Sequence, residues 1–136
     1  MKSTQELEQE IRESTTPEAL LGGDFHTPSF PIYLNSLLHS RGLSVQDVVV
    51  GCNLDRNYGY QLFNGTRRPT RDFLLRLALW LHLSEGEAQR LLKIAGRQPL
   101  YARSRRDAAV LYGLSHSLSA EKTQELLAGL GEAGLA

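Results

Sequence analysis

The sequence offers little material for disulfide or metal chemistry. Its one cysteine, Cys52, has no partner within the chain for a disulfide, and by pattern it belongs to the apolar face of a helix. The four histidines are scattered and show neither HxxxH nor CxxC spacing, so no metal site and no cofactor are expected. Cysteine usage of this kind favours a cytoplasmic location.

Long hydrophobic runs and catalytic motifs are also missing. No apolar stretch comes near the roughly 18 residues that a membrane-spanning helix needs, and the N-terminus, MKSTQELEQE, lacks the apolar core of a signal peptide. The sequence contains no G-x-S-x-G motif and no glycine-rich phosphate loop. We therefore expect a soluble protein that has no membrane partner and is not an enzyme.

The chain has no net charge, but its charges are unevenly distributed. Residues 1–24 carry −4, residues 55–106 carry +7 and residues 107–136 carry −3. A basic middle between acidic ends is compatible with a surface that binds a polyanion. An ordinary solvated surface of mixed charge also explains this pattern, and the charge alone does not decide between the two.

Apolar residues follow a helical period from Ile32 onwards, and no strand pattern is present, so we predict an all-α fold. The first helix ends at Gly42, and Ser44 with Asp47 has the capping-box spacing at the start of a second helix. Asn53 stands where a sharp left-handed turn is needed. A third helix is predicted from about Asp55 to Phe63.

Thr70 is predicted to cap a fourth helix, which is rich in leucine. The whole pattern predicts a flexible or weakly helical segment over residues 1–29, a domain over residues 30–83, and a helical extension over residues 84–136 that packs on it.

A repeat occupies the second half of the chain. Residues 68–100 align without a gap with residues 103–135, and 11 of the 33 aligned positions are identical. Five of these are leucines, and the other six pairs are Arg68/Arg103, Arg71/Arg106, Asp72/Asp107, Ser84/Ser119, Gln89/Gln124 and Gly96/Gly131. Each unit has the pattern of a helical hairpin whose apolar stripe needs a neighbour. We therefore predict that the extension continues the core of the preceding helices.

Residues 43–65, LSVQDVVVGCNLDRNYGYQLFNG, resemble the helix-turn-helix of XRE-type, phage-repressor-like transcriptional regulators. The positions that fit this pattern are Leu43, Ser44, Val48, Asn53, Tyr58, Leu62, Asn64 and Gly65. The following Arg67-Arg68-Pro69 and the fourth helix match as well, so the resemblance covers about residues 31–83. It implies a repressor-like helical bundle that binds double-stranded DNA. The stretch YGYQLFNGTRRPTRD is also similar to a subgroup of such regulators with a helical C-terminal extension.

The start of the third helix supplies the candidates for reading bases. A helix fits the major groove of DNA, and its first turns meet the base edges. Arg56 and Asn57 begin this helix on its exposed side, and arginine suits guanine while asparagine suits adenine. Tyr58 belongs to the same candidate set, and Gln61 lies one turn further on, within reach of a base or a phosphate. The alternative is that Arg56 and Asn57 are ordinary surface residues at a helix start.

Candidates for phosphate contacts follow the third helix. Arg67, Arg68 and Arg71 lie where the DNA backbone passes, and backbone amides near Ser44 and Thr70 also suit a phosphate. One such module contacts few bases, so we expect a homodimer on paired half-sites. The C-terminal helices would then either dimerise the chain or receive a protein partner.

Several residues depart from the family pattern. Gly59 replaces an apolar residue that faces the first two helices, and we expect it to leave a hole. Tyr60 and Phe63 stand at usually polar positions, and Val50 and Gly51 at usually charged ones. The aromatic side chains either fill the hole or form an apolar patch of the kind that binds protein. A protein-interaction adaptor with this fold is therefore the alternative functional hypothesis.

Overall fold

Residues 29–135 form seven helices joined by short connections. The computed structural model describes residues 4–5 and 29–135, and within these residues there is no strand, which confirms the predicted all-α fold. The helices are α1 (Phe30–Ser40), α2 (Val45–Gly51), α3 (Arg56–Asn64), α4 (Arg71–Trp80), α5 (Glu85–Ile94), α6 (Arg105–Ser115) and α7 (Ala120–Gly129). Most of the segment predicted to be flexible or weakly helical, residues 1–29, lies outside the described residues. In the described part of the chain, no helix has both the length and the apolar character to cross a membrane.

The helix boundaries follow from short polar side chains and from residues that tolerate a positive φ. The predicted capping box is confirmed, because the Ser44 hydroxyl accepts from the amide of Asp47 and the Asp47 carboxylate accepts from the amide of Ser44. Asn53 has the predicted left-handed conformation, with φ of 52°. Thr70 caps α4 as predicted. α1 begins at Phe30, two residues before the predicted start, because Ser29 caps it and proline fits the first helical turn.

Gly59 is buried, but it does not leave the predicted hole. A Cβ atom built on Gly59 would lie 2.5 Å from Cγ2 of Val49, so the side chain of Val49 already fills this position. The two aromatic residues expected to fill it do not: Tyr60 is 42% exposed, and neither Tyr60 nor Phe63 is among the atoms nearest to that Cβ. Glycine therefore allows α2 and α3 to pack closely, which corrects the prediction of a cavity.

We expect Gly59→Ala to destabilise the fold by about 1–3 kcal/mol, because the added methyl group overpacks this contact. Val49 is β-branched and stiff at χ1, so it cannot turn away cheaply. Urea denaturation of the wild type and of the variant measures the effect. Gly86→Ala is the matched control, since a Cβ on Gly86 of α5 meets nothing within 4 Å. It should be neutral or stabilising, and equal stability of the two variants would contradict the close packing at Gly59.

One hydrophobic cluster of buried side chains extends from Phe30 to Leu135. Six of the ten residues of α4 are buried in it. On one side of α4, the ring of Phe73 makes an edge-to-face contact with Tyr58 of α3. On another side, a Cβ atom on Gly113 of α6 would lie 3.1 Å from a methyl group of Leu79. α4 thus joins the N-terminal helices to the C-terminal hairpin.

The sequence repeat is also a structural repeat. Gln89 binds both backbone polar groups of Leu100 through its side-chain amide, and Gln124 binds those of Leu135 in the same way, with distances of 2.7–3.0 Å. His82 and Ser117, which also lie 35 positions apart, share a left-handed conformation with φ of 53° and 52°. The hairpin α4–α5 and the hairpin α6–α7 therefore have the same local construction.

Two crossed ion pairs join the hairpins. Arg71 at the start of α4 pairs with Asp107 of α6 at 2.8 Å, and Arg106 of α6 pairs with Asp72 of α4 at 3.0 Å. The two arginines are equivalent in the repeat, and so are the two aspartates. Each hairpin thus gives the other the same interaction that it receives, which is the contact pattern of a twofold interface.

Candidate nucleic-acid interface

The first turn of α3 presents Arg56 and Asn57 to solvent. Asp55 precedes the helix, and its carboxylate accepts from the amide of Tyr58 at 3.1 Å, which fixes where α3 starts. Both Arg56 and Asn57 are exposed. The guanidinium carbon of Arg56 lies 5.7 Å from the centre of the Tyr60 ring, so this exposed aromatic residue holds the arginine by a cation–π contact.

Tyr58 connects α3 to the loop that follows it and to α4. Its half-buried ring contacts Phe73, and its hydroxyl accepts from the amide of Thr70 at 3.3 Å. The guanidinium of Arg67 also lies over the ring of Tyr58, 5.6 Å from the ring centre. Nε of Arg67 donates to Oε1 of Gln61 at 3.1 Å. Three candidate residues, Tyr58, Gln61 and Arg67, therefore lie together on α3 and the loop that follows it, and the first two position the third.

The two predicted amide sites already have protein partners. The backbone N–H and the hydroxyl of Ser44 both donate to the Asp47 carboxylate, at 2.7 and 3.0 Å. The backbone hydrogen bond from Ser44 holds the pKa of Asp47 below its ordinary value, so a negative charge stands at the start of α2. The amide of Thr70 donates to Tyr58, and its hydroxyl accepts from the amide of Phe73. Ser44 and Thr70 therefore act as helix caps, and a phosphate contact by the neighbouring amides stays a prediction.

The structure gives Arg71 a different place from the one expected for a phosphate-binding residue. Its guanidinium donates two hydrogen bonds to the Asp107 carboxylate, at 2.8 and 3.0 Å. Two further bonds of 3.0 Å reach the carbonyl oxygens of Gln98 and Pro99. Because four of its five N–H groups have partners, Arg71 fastens α4 to α6, although 23% of its side chain is exposed. Arg68 is exposed, although Nη2 also donates to the carbonyl of Gly96 at 2.5 Å.

A neighbouring loop was missed by the sequence analysis. Nε of Arg97 donates to the carbonyl of Pro69 at 2.9 Å, which brings the loop after α5 beside the loop after α3. The repeat makes Arg103 of the second loop equivalent to Arg68 of the first, but equivalence in a repeat does not predict that the two loops touch.

Burial raises the pKa of the Cys52 thiol to about 11, so this side chain stays protonated and is a poor nucleophile. Among residues 4–5 and 29–135, no three His, Cys, Asp or Glu side chains are grouped so that they could hold a metal ion.

Comparisons with models of known protein families, with curated proteins and with solved structures found no significant match. The functional interpretation therefore depends on the residues and the geometry of this chain.

Proposed function

We propose that this protein is a sequence-specific regulator of transcription that binds double-stranded DNA with α3 in the major groove. The observation that carries the proposal is the exposed first turn of α3. Arg56 and Asn57 are exposed there, directly after the Asp55 cap that fixes where the helix begins. An arginine donates two hydrogen bonds to guanine, and an asparagine exchanges two with adenine. The left-handed turn at Asn53 between α2 and α3 supports the same interpretation.

Arg67 and Arg68 are the proposed phosphate contacts next to α3. A helix in the major groove has the DNA backbone on either side of it, so cations directly after the helix meet phosphate oxygens. Gln61 and the ring of Tyr58 hold Arg67 in place, which reduces the entropy that this long side chain loses on binding.

We also propose that the protein acts as a cytoplasmic homodimer on paired half-sites, without enzymatic activity. The second hairpin offers a surface for this. Tyr112 is 52% exposed and Leu130 is 41% exposed, whereas the equivalent residues of the first hairpin, Leu77 and Ala95, are buried. Two apolar side chains that are covered in the first repeat and exposed in the second support a partner at the C-terminal helices, either a second copy or another protein.

The variants Arg56→Ala and Asn57→Ala test the reading of bases. Each should cost about 1–3 kcal/mol of affinity for the preferred sequence and relax the preference at one base position. The preferred sequence is first selected from random duplexes, and fluorescence anisotropy then measures the affinity of each variant for selected and random DNA.

Lys122→Ala is the matched control for this experiment. Lys122 is exposed on α7, where its ion pair with Glu125 contributes little to stability. It should leave both affinities unchanged. Equal losses on selected and random DNA for Arg56→Ala would contradict a base-reading role for that residue.

The alternative is a protein-interaction adaptor that uses the same helices. The exposure of Val50, 69%, and of Tyr60 on the neighbouring helix favours it, because apolar side chains of this kind occur at protein contacts. The cation–π contact between Tyr60 and Arg56 favours DNA instead, since it gives the aromatic ring a role in placing a base-reading cation. Absence of duplex binding by the wild type even at low salt would favour the adaptor.

A further inference from the structure

Two loops from different parts of the chain form one surface. The loop over residues 65–70 follows α3, and the loop over residues 97–104 connects the two hairpins. Arg68 donates to the carbonyl of Gly96, and Arg97 donates to the carbonyl of Pro69. Arg71 binds two further carbonyls of the second loop. These bonds run in both directions and hold the loops side by side.

This surface concentrates positive charge in a chain whose net charge is zero. Residues 65–71 and 97–106, which are the two loops and the first residues of α4 and α6, contain seven arginines and no acidic residue. The next residue in each case is an aspartate, Asp72 or Asp107. Asp107 forms an ion pair with Arg71, and Asp72 forms one with Arg106. The remaining cations, which we call the loop arginines, are Arg67, Arg68, Arg97, Arg103 and Arg105.

Arg103 and Arg105 differ from the other loop arginines because their side chains hold no other part of the described structure in place. Both are exposed, and neither forms an ion pair or a side-chain hydrogen bond with any residue that the structure describes. Arg103 and Arg105 are separated by one residue, and two exposed cations so close in the sequence repel each other unless an anion is present. The arrangement is therefore that of a surface that neutralises a polyanion.

We infer that Arg103 and Arg105 extend the DNA contact from the helix-turn-helix onto the second hairpin, where they bind phosphates of the same duplex. The inference rests on the proposed function. Continuity with Arg67 and Arg68 favours the DNA backbone over an acidic protein, because the loop that carries these two residues directly follows α3 and is bonded to the second loop. The extension then contributes affinity that does not depend on base sequence.

The test is the salt dependence of duplex binding by full-length Arg103→Ala/Arg105→Ala. Each lost phosphate contact reduces the slope of log affinity against log salt by about 0.9, so the slope should become shallower by about 2. The affinity should fall by the same factor on selected and random duplexes. Both side chains are exposed and unpaired, so the thermal midpoint should equal that of the wild type.

Arg103→Lys/Arg105→Lys is the charge-conserving control and should keep the wild-type slope. An unchanged slope for the alanine variant, with wild-type binding intact, would overturn the inference and leave the proposed function standing. A wild type that binds no duplex at low salt would overturn both. If instead the alanine variant loses affinity on selected DNA alone, these residues read bases, and the inferred phosphate role is wrong.

Discussion

A chain that ends after Gly96 should fail to fold, including helices α1 to α3. The truncation removes α6 and α7, whose buried side chains include Val110, Leu114 and Leu127. It also uncovers α4, in which six of ten residues are buried. Burial of each leucine contributes about 1.5–3 kcal/mol, so the exposure of several consumes most of the 5–15 kcal/mol or so by which a domain of this size is stable.

Hydrogen exchange on the full-length and truncated chains measures this directly. A chain that ends after Gly131 is the control, because it keeps both hairpins. It loses one buried leucine, Leu135, with the two hydrogen bonds that Gln124 makes to it, and the two bonds from Arg106 to the carbonyls of Ala133 and Gly134. It should stay folded with reduced stability. If residues 30–83 keep full protection from hydrogen exchange in the chain that ends after Gly96, the second hairpin is an independent accessory.

Asp107→Ala should destabilise the protein by about 2–4 kcal/mol, because it leaves a largely buried guanidinium without its carboxylate. The side chains of Asp107 and Arg71 are 9% and 23% exposed, so the contact is better shielded from water than a surface ion pair. Asp107 also accepts from the amide of Tyr101 at 3.0 Å, and that bond is lost as well. Chemical denaturation of the variant and the wild type gives the difference.

Asp72→Ala is the control that the repeat provides. Asp72 occupies the equivalent position in the first hairpin, but its side chain is 29% exposed, and we expect a loss of about 1 kcal/mol. Equal losses for the two variants would show that the difference in burial has no energetic consequence.

The stabilisation by Asp107 should depend on pH in a defined direction. Burial opposes ionisation of its carboxyl, but the hydrogen bonds from Arg71 and Tyr101 outweigh burial and hold its pKa below the ordinary value. A depressed pKa in the folded state means that the contribution is complete above the unfolded value, at about pH 5 and higher, and declines as pH falls below about 4. The stability difference between wild type and Asp107→Ala should shrink over the same range.

The sequence predicts most of the local structure because the signals involved are local. Ser44, Asp47, Asn53 and Thr70 act on backbone groups within three or four residues, so their spacing is enough to place helix ends. The repeat was likewise visible as a gapless alignment, and the structure has the same side-chain bonds at both copies.

The departures come from contacts between residues far apart in the chain. Val49 and Gly59 are on different helices, and no local pattern shows that one side chain occupies the space of the other. The partners of Arg71 lie about 30 residues away, at Gln98, Pro99 and Asp107. A basic residue that follows a helix such as α3 has the same local sequence whether it meets a phosphate or an aspartate, so tertiary structure alone separates these roles.

The crossed pairs Arg71–Asp107 and Arg106–Asp72 give the α4–α6 contact the reciprocal pattern of a homodimer interface, but both sides belong to one polypeptide. The connection of residues 97–104 then acts as a short tether, which replaces the concentration dependence of dimer formation by an effective concentration in the millimolar range or above. One face of each hairpin is thereby used up inside the chain. An assembly between chains that keeps this fold must use another surface, and association through the exposed side chains of Tyr112 or Leu130 would leave the internal pairing intact.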